Sequence, residues 1–373
     1  MVLKNLKIVL EDKIINKGFL SFENGIITHI KEDYYFGDAL DCHGLIAMPG
    51  FIDIHIHGSA GIDFMDAKEE DYEVIANSLY KEGVTTFLAT TLTSDNAALK
   101  RVCDTIKNVK DKIPSLGGIH FEGPYISVKY KGAQNEEFIR NPDIKEFDEL
   151  QKISGNNVKY ITLAPEKEGA LEFIEHVTKN GVTVSAGHSD ASFDQVREAI
   201  SNGLTNTTHT HNAMSPHHHR KPGIVTAAFY FDELYTEFIC DKIHVCPNVL
   251  ATSYKIIGPE RFVMITDALK VKNSNIDKFQ LFGLDCIRKD GAAYLTSGPL
   301  AGSLLTMDQG LRNMRDITNA NLCDLAKISS RNAAKALHFS DRGVIEVGKL
   351  ADLVLLDNDL NVKATYKLGK KVY

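Results

Sequence analysis

Eight short runs of apolar or β-branched residues, each leading into a stretch of helical spacing, constrain this chain more than any other feature. They are FIDIHIH (51–57), VTTFLATT (84–91), LGGIHFE (116–122), VKYITLA (158–164), VTVSAGH (182–188), LTNTTH (204–209), EFICD (237–241) and RFVMITD (261–267). Continuous runs of this kind read as strands buried on both faces, which occur in parallel sheets covered by helices. The intervals supply the helices. EEDYEVIANSLYKEG, NAALKRVCDTIKNVK, ALEFIEHVTKNG and SFDQVREAISNG are amphipathic, and two of them end in Asn-Gly, a helix-stop signal. Eight β-then-α units predict an α/β fold of the TIM-type (β/α)8 barrel class.

A barrel does not use all 373 residues. Before Phe51 the chain reads as short strands (LKIVL, GFLSF, IITHIK, GLIAMPG), and after residue 339 strand-like texture returns in GVIEVGKLADLVLLD and TYKLGKKVY. Matching ends predict that residues 1–50 and 340–373 pair into a small β-sandwich domain, with residues 51–339 forming the barrel between them. A hairpin is expected in FQLFGLDCIRKDGAAYLTSG, turning at Asp290-Gly291, with helices near 303–317 and 322–338. Charge narrows the partners. A net charge of -7 carries no basic surplus for nucleic acid or anionic membrane, so an anionic ligand needs a local basic patch. MVLKNLKIVLEDK lacks the apolar run of a signal peptide, and no 18-residue apolar stretch follows, which predicts a cytoplasmic address and no membrane anchor. The cysteines at 42, 103, 240, 246, 286 and 323 form no Cys-x-x-Cys pair and read as reduced thiols.

In such a barrel the active site forms at the C-terminal strand ends, so the residues that end the runs matter most. His55 and His57 end the first, Glu122 the third, His188 the fifth, His209 the sixth and Asp267 the eighth. All are metal-ligand types. His-x-His alone is weak: the chain has three such pairs against about 0.5 expected by chance, and a half-exposed pair on a strand is as ordinary a reading. Six groups from five independently assigned strands are a stronger signal. Four His and a Glu supply enough donors for two adjacent divalent ions, with Glu122 able to bridge them. Asp267 is left as a carboxylate that can take a proton from water and return it to a leaving group, against the plainer reading of a helix cap.

PGFIDIHIHG (49–58), GIHFEGPY (118–125), AGHSDAS (186–192), THTHNAMSP (208–216), DKIHV (241–245), VMITDAL (263–269) and LAGSLLTM (300–307) together resemble the N-acetylglucosamine-6-phosphate deacetylase family of the amidohydrolase superfamily, over nearly the whole chain. The resemblance implies metal-dependent hydrolysis of N-acetyl-D-glucosamine 6-phosphate to glucosamine 6-phosphate and acetate. It makes Glu122, His188 and His209 the core metal ligands, Asp267 the catalytic acid/base, and His55 and His57 holders of a second ion. The cofactor implied is a divalent ion (Zn, Fe or Mn), one or two per subunit. It further assigns Ala133, Gln134, Asn212, Ala213, Arg220, His244, Leu300, Ala301 and Gly302 to substrate binding, with Gln134 standing where some members carry a His. In the family a homodimer completes the phosphate site. His211 and His217 to His219 read equally well as surface or helix-start residues. The alternatives are the galactosamine epimer as substrate, another amidohydrolase such as a dihydroorotase or nucleobase deaminase, and a metal-free binding homologue. Another amidohydrolase would not need HNAM with a downstream Arg, and a metal-free homologue would have lost ligands.

Overall fold

In the computed structural model, which describes residues 1–281 and 283–373, the eight runs form eight parallel strands in chain order. They are β1 Phe51–Ile56, β2 Val84–Thr91, β3 Leu116–Glu122, β4 Val158–Leu163, β5 Thr183–Ala186, β6 Asn206–Thr207, β7 Tyr235–Ile239 and β8 Phe262–Ile265. The helices are α1 Asp71–Tyr80, α2 Asn96–Val109, α3 Ile144–Ile153, α4 Ala170–Lys179, α5 Phe193–Ser201, α6 Ile224–Tyr230, α7 Pro247–Ile257 and α8 Met307–Thr318. Helix α2 shows why the pattern works: Ala98, Leu99, Val102, Cys103, Ile106 and Val109 make one buried stripe, and the Asp95 side chain caps the first turn from Ala98 N–H. This is the TIM-type barrel the sequence predicts.

Closure falls to the seam between β8 and β1. Asp267 N–H donates to the His55 carbonyl at 2.8 Å, and His57 N–H to that of Ala268 at 2.9 Å. Beneath them the fully buried Asp53 carboxylate accepts from Thr266 Oγ1 at 2.6 Å and from the N–H groups of Thr266 and His55, each at 3.3 Å. The seam staple thus lies two residues before His55 and one before Asp267, and fixes both.

The termini form one eight-stranded mixed sheet. Its order runs from 370–371 through 362–367, 353–356, 46–49, 2–9 and 14–23 to 26–31, with 40–41 on the side of 2–9. The sheet curls back on itself: Ile27 N–H donates to the Lys349 carbonyl and Ala351 N–H to that of Gly25. A separate apolar core fills it, including Leu3, Leu6, Leu20, Phe22, Leu353 and Tyr366. It is tied to the barrel by Arg331, whose guanidinium reaches Glu11 of the sheet at 3.0 Å and Glu260 of the barrel at 2.6 Å.

Two expected elements differ. The hairpin at 279–298, whose Phe282 lies outside the described residues, is part of a four-stranded meander of Lys278–Leu281, Leu284–Lys289, Ala292–Leu295 and Leu300–Ser303. Asp290 and Gly291 both have positive φ (48° and 84°), as the tight turn requires. Because Leu300–Ser303 pairs as the fourth strand, the helix expected from 303 begins at Met307. The helix expected over 322–338 is interrupted by a π turn at Lys327–Arg331, and this wider turn sets Lys327 and Arg331 together against Glu260.

The loop after β8 is anchored by a buried pair. Lys272 Nζ lies 3.0 Å from Glu82 Oε2, and Glu82 also accepts from Asn273 Nδ2 and Met307 N–H. Glu82→Ala strands a buried ammonium and is expected to cost about 3–5 kcal/mol in urea unfolding. A loss below about 1 kcal/mol would show that the pair does not anchor the loop.

Candidate metal centre and active site

The runs that end the sequence pattern at His57, His188, His209 and Asp267 pass beyond the strands, whose pairing stops at Ile56, Ala186, Thr207 and Ile265. The reason is backbone geometry. His188, His209 and Asp267 have φ of 48°, 30° and 48°, a left-handed conformation that ends strand pairing. Three such residues at one barrel mouth mark strain held in place by the surroundings. Ser127 N–H donates to the His188 carbonyl at 2.8 Å, and His209 N–H to Glu237 Oε2 at 3.2 Å.

The six groups converge. Glu122 Oε1 lies 3.2 Å from His55 Nε2 and 3.1 Å from both His188 Nε2 and His209 Nε2, while Oε2 lies 3.4 Å from His57 Nε2. Asp267 Oδ1 lies 3.2 Å from His57 Nε2 and 3.5 Å from His55 Nε2. Gln134 Nε2 donates to Glu122 Oε2 at 2.5 Å, and its own Oε1 accepts from Thr93 N–H, so the Glu122 carboxylate is oriented. His188 Nδ1 faces the Tyr130 carbonyl at 2.9 Å, which turns Nε2 inward. Gly132, at φ 57°, lets the loop pass over that ring; a Cβ there would stand 3.3 Å from His188 Cε1.

These side chains fit a divalent ion. Donors about 2.0–2.2 Å from a tetrahedral ion stand roughly 3.3–3.6 Å apart. The separations here are 3.1–3.5 Å, including 3.1 Å between His188 Nε2 and His209 Nε2. Glu122 with His188 and His209 makes one candidate set, and His55 with His57 and Glu122 makes a second that shares Glu122 with it. His55 Nε2 is fully buried without a hydrogen-bond partner, as expected of a nitrogen reserved for an ion.

Charge distribution agrees with chemistry at this mouth. Burial opposes ionisation of Glu122, but the imidazoles around it, His55 and His188 foremost, hold its carboxyl well below the usual range. Burial likewise opposes charge on Asp267, and His55 and His57 hold its carboxyl low. For His244 burial disfavours the imidazolium, yet Asp241 Oδ2 at 2.6 Å from Nδ1 raises the ring's pKa above the ordinary value. Asp241 thereby favours the protonated form of a ring that lines the pocket.

The pocket is lined by most of the residues expected to bind substrate: Ala133, Gln134, Asn212, Ala213, His244, Leu300, Ala301 and Gly302 join the metal cluster. Arg220 does not line it. The side chain is exposed on the loop after Pro216, where Nη1 lies 2.7 Å from His219 Nε2. His211 packs between Phe229 and Phe238 with Nε2 2.9 Å from Ser253 Oγ, and His217 Nδ1 lies 3.0 Å from Thr226 Oγ1. Sequence reasoning missed Leu92 and Leu281 on the wall, and Glu237, Tyr160 and His120 behind the ligands. Glu237 did carry a signal, a carboxylate inside an apolar run.

The model for the amidohydrolase family matches residues 46–372. The chain belongs to that family. This amidohydrolase is 40% identical over 338 residues to the N-acetylglucosamine-6-phosphate deacetylase of Lysinibacillus sphaericus, an alignment covering 89% of this chain and 87% of that one. It is 32% identical to the N-acetylgalactosamine-6-phosphate deacetylase of Escherichia coli O157:H7, covering 99% and 98%. A point mutant of the Mycobacterium smegmatis N-acetyl-D-glucosamine-6-phosphate deacetylase, solved with N-acetyl-D-glucosamine-6-phosphate, superposes with a TM-score of 0.95 at 29% identity, covering 100% and 99%.

Glu122→Gln and His209→Ala each weaken or remove a ligand, so both variants are expected to lose bound metal and activity together. Elemental analysis checks this; full metal content in both would misplace the centre.

Proposed function

We propose that this amidohydrolase removes the N-acetyl group of N-acetyl-D-glucosamine 6-phosphate, giving D-glucosamine 6-phosphate and acetate in amino-sugar catabolism. The observation that carries the mechanism is the position of Asp267. Its side chain is 13% exposed, against 3% for Glu122, so within one ligand cluster Asp267 is the carboxylate that opens towards substrate.

A divalent ion at this centre supplies an electrophile that acidifies water and polarises the acetamide carbonyl. Glu122, His188 and His209 would hold one ion, and His55, His57 and Glu122 a second; Zn, Fe and Mn all suit such donors. Asp267 takes the proton of the water that attacks the acetamide carbon. It delivers that proton to the amine nitrogen as the C–N bond breaks, so acetate and the free amine leave in balance. Asp267 N–H, donating to the His55 carbonyl at 2.8 Å, keeps the carboxylate aimed.

The phosphate is assigned to His244, to Asn212 and Ala213, and to Arg220. Since Arg220 is exposed away from its own pocket, we propose that it completes the site of a partner copy in a homodimer. Residues 51–339 would carry the chemistry and residues 1–50 with 340–373 the supporting sheet. No helix among the described residues is long and apolar enough to cross a membrane, and a cytoplasmic address suits the substrate. The galactosamine epimer is the second reading, favoured by the 32% identity to an enzyme named for it.

Asp267→Asn is expected to keep metal and fold while losing nearly all acetate release; turnover within about tenfold of wild type would reject the proton role. Arg220→Ala removes charge-assisted contacts of about 1.5–3 kcal/mol each, so kcat/KM for the phosphorylated sugar should fall roughly ten- to a few-hundred-fold, with little change for the unphosphorylated sugar. Equal loss on both sugars would make Arg220 a structural residue.

A further inference from the structure

Glu237, in β7, takes no part in the roles above, yet it is a carboxylate with no exposure to solvent. Oε2 lies 3.2 Å from His55 Nδ1 and accepts from the His209 N–H at 3.2 Å; Oε1 accepts from the Tyr160 hydroxyl at 2.5 Å. A buried charge persists only where it is paired and hydrogen-bonded, and these three contacts supply that. Beneath them the barrel interior is cross-linked. His120 reaches Thr90 Oγ1 at 3.3 Å and Thr162 Oγ1 at 2.8 Å, and Thr162 continues to Thr208 at 2.8 Å and Ser185 at 2.5 Å from Thr208. The His120 ring packs edge-on against both His55 and Tyr160, with centroids 4.6 and 4.5 Å away. Neither ring is free to turn.

An ionised carboxylate only accepts hydrogen bonds, so the contact with Glu237 places a proton on His55 Nδ1 and leaves the lone pair on Nε2. That nitrogen is buried, has no hydrogen-bond partner, and points at Glu122 Oε1 (3.2 Å) and Asp267 Oδ1 (3.5 Å). A lone pair facing two carboxylate oxygens is favourable only with a cation between them. His57 Nδ1 and His209 Nδ1 are buried without partners, so among the barrel-mouth rings it is His55 that a carboxylate holds from behind.

We infer that Glu237 is a positioning residue, held by Tyr160, that sets how tightly the ion of the His55–His57–Glu122 set is bound and hence whether the barrel carries one ion or two. This rests on the two-ion reading above. Carboxylates behind a ligating His typically contribute 10–100-fold in metal affinity.

The test is titration of metal-free protein with Zn2+ against a chromophoric chelator, which resolves two binding events if two ions bind. His57→Ala assigns the events, because His57 belongs to the second set and not to the Glu122–His188–His209 set. Glu237→Gln keeps the size and an acceptor oxygen but removes the charge. It is expected to weaken the His57-dependent event about 10–100-fold while leaving the other within about threefold. Tyr160→Phe, which frees Glu237 of one hydrogen bond and leaves its charge, should shift the same event in the same direction by less, and serves as the probe if Glu237→Gln does not fold. Equal weakening of both events, or no change in either, would overturn the inference. A wild-type protein binding one ion that His57→Ala leaves in place would overturn the two-ion reading instead, and the inference with it.

Discussion

Glu122 faces four imidazole nitrogens at 3.1–3.4 Å inside a closed barrel, and the rest of the structure is arranged around that constraint. Of the groups brought this close, two rings and the carboxylate are oriented by a partner behind them. Tyr130 does this for His188, Glu237 for His55, and Gln134 for the carboxylate itself. The left-handed backbone at His188, His209 and Asp267 is the local cost of steering side chains to a common point from strands that diverge. Ser127 and Glu237 hold it at His188 and His209, and at Asp267 it is held by the seam, where Asp53 and the hydrogen bonds of His55, His57 and Asp267 lock the first strand to the last.

The layers outside serve that rigidity. The terminal sheet grips the barrel through Arg331 and Lys327, and the meander at 278–303 brings Leu281, Leu300, Ala301 and Gly302 to the pocket wall. The proposed ligands thus stand at or just past barrel strand ends, where precision is greatest, while the pocket-lining residues proposed to face substrate come from loops and the meander, where shape changes cost the barrel little. This division suits a family in which hydrolysis is shared and specificity varies.

Much of this was legible in the residues. The eight runs were visible because a strand buried on both faces must be apolar throughout, and polar residues at their ends stood out against that background. The terminal sheet was legible from matching strand texture at both ends. Less visible were features set by tertiary context. Strand ends fell short at His188, His209 and Asp267 because the backbone turns left-handed there, which composition does not encode. The helix start was read at 303 and stands at Met307, since Leu300–Ser303 pairs as a strand with Ala292–Leu295 across a turn. Arg220 matched a motif but is exposed outside its own pocket, which one chain's sequence cannot reveal. Glu237 sat in a recognised run, yet its meaning comes from neighbours 77 and 182 residues away.

The most direct test of the central claim is acetate release from N-acetyl-D-glucosamine 6-phosphate by the same protein before chelation, after metal removal, and after resupply of a divalent ion. The account predicts that hydrolysis is lost with the metal and returns with it, while the fold, read by circular dichroism, stays intact. Hydrolysis at an unchanged rate in metal-free protein would contradict it, because then the cluster around Glu122 would not be where the reaction happens.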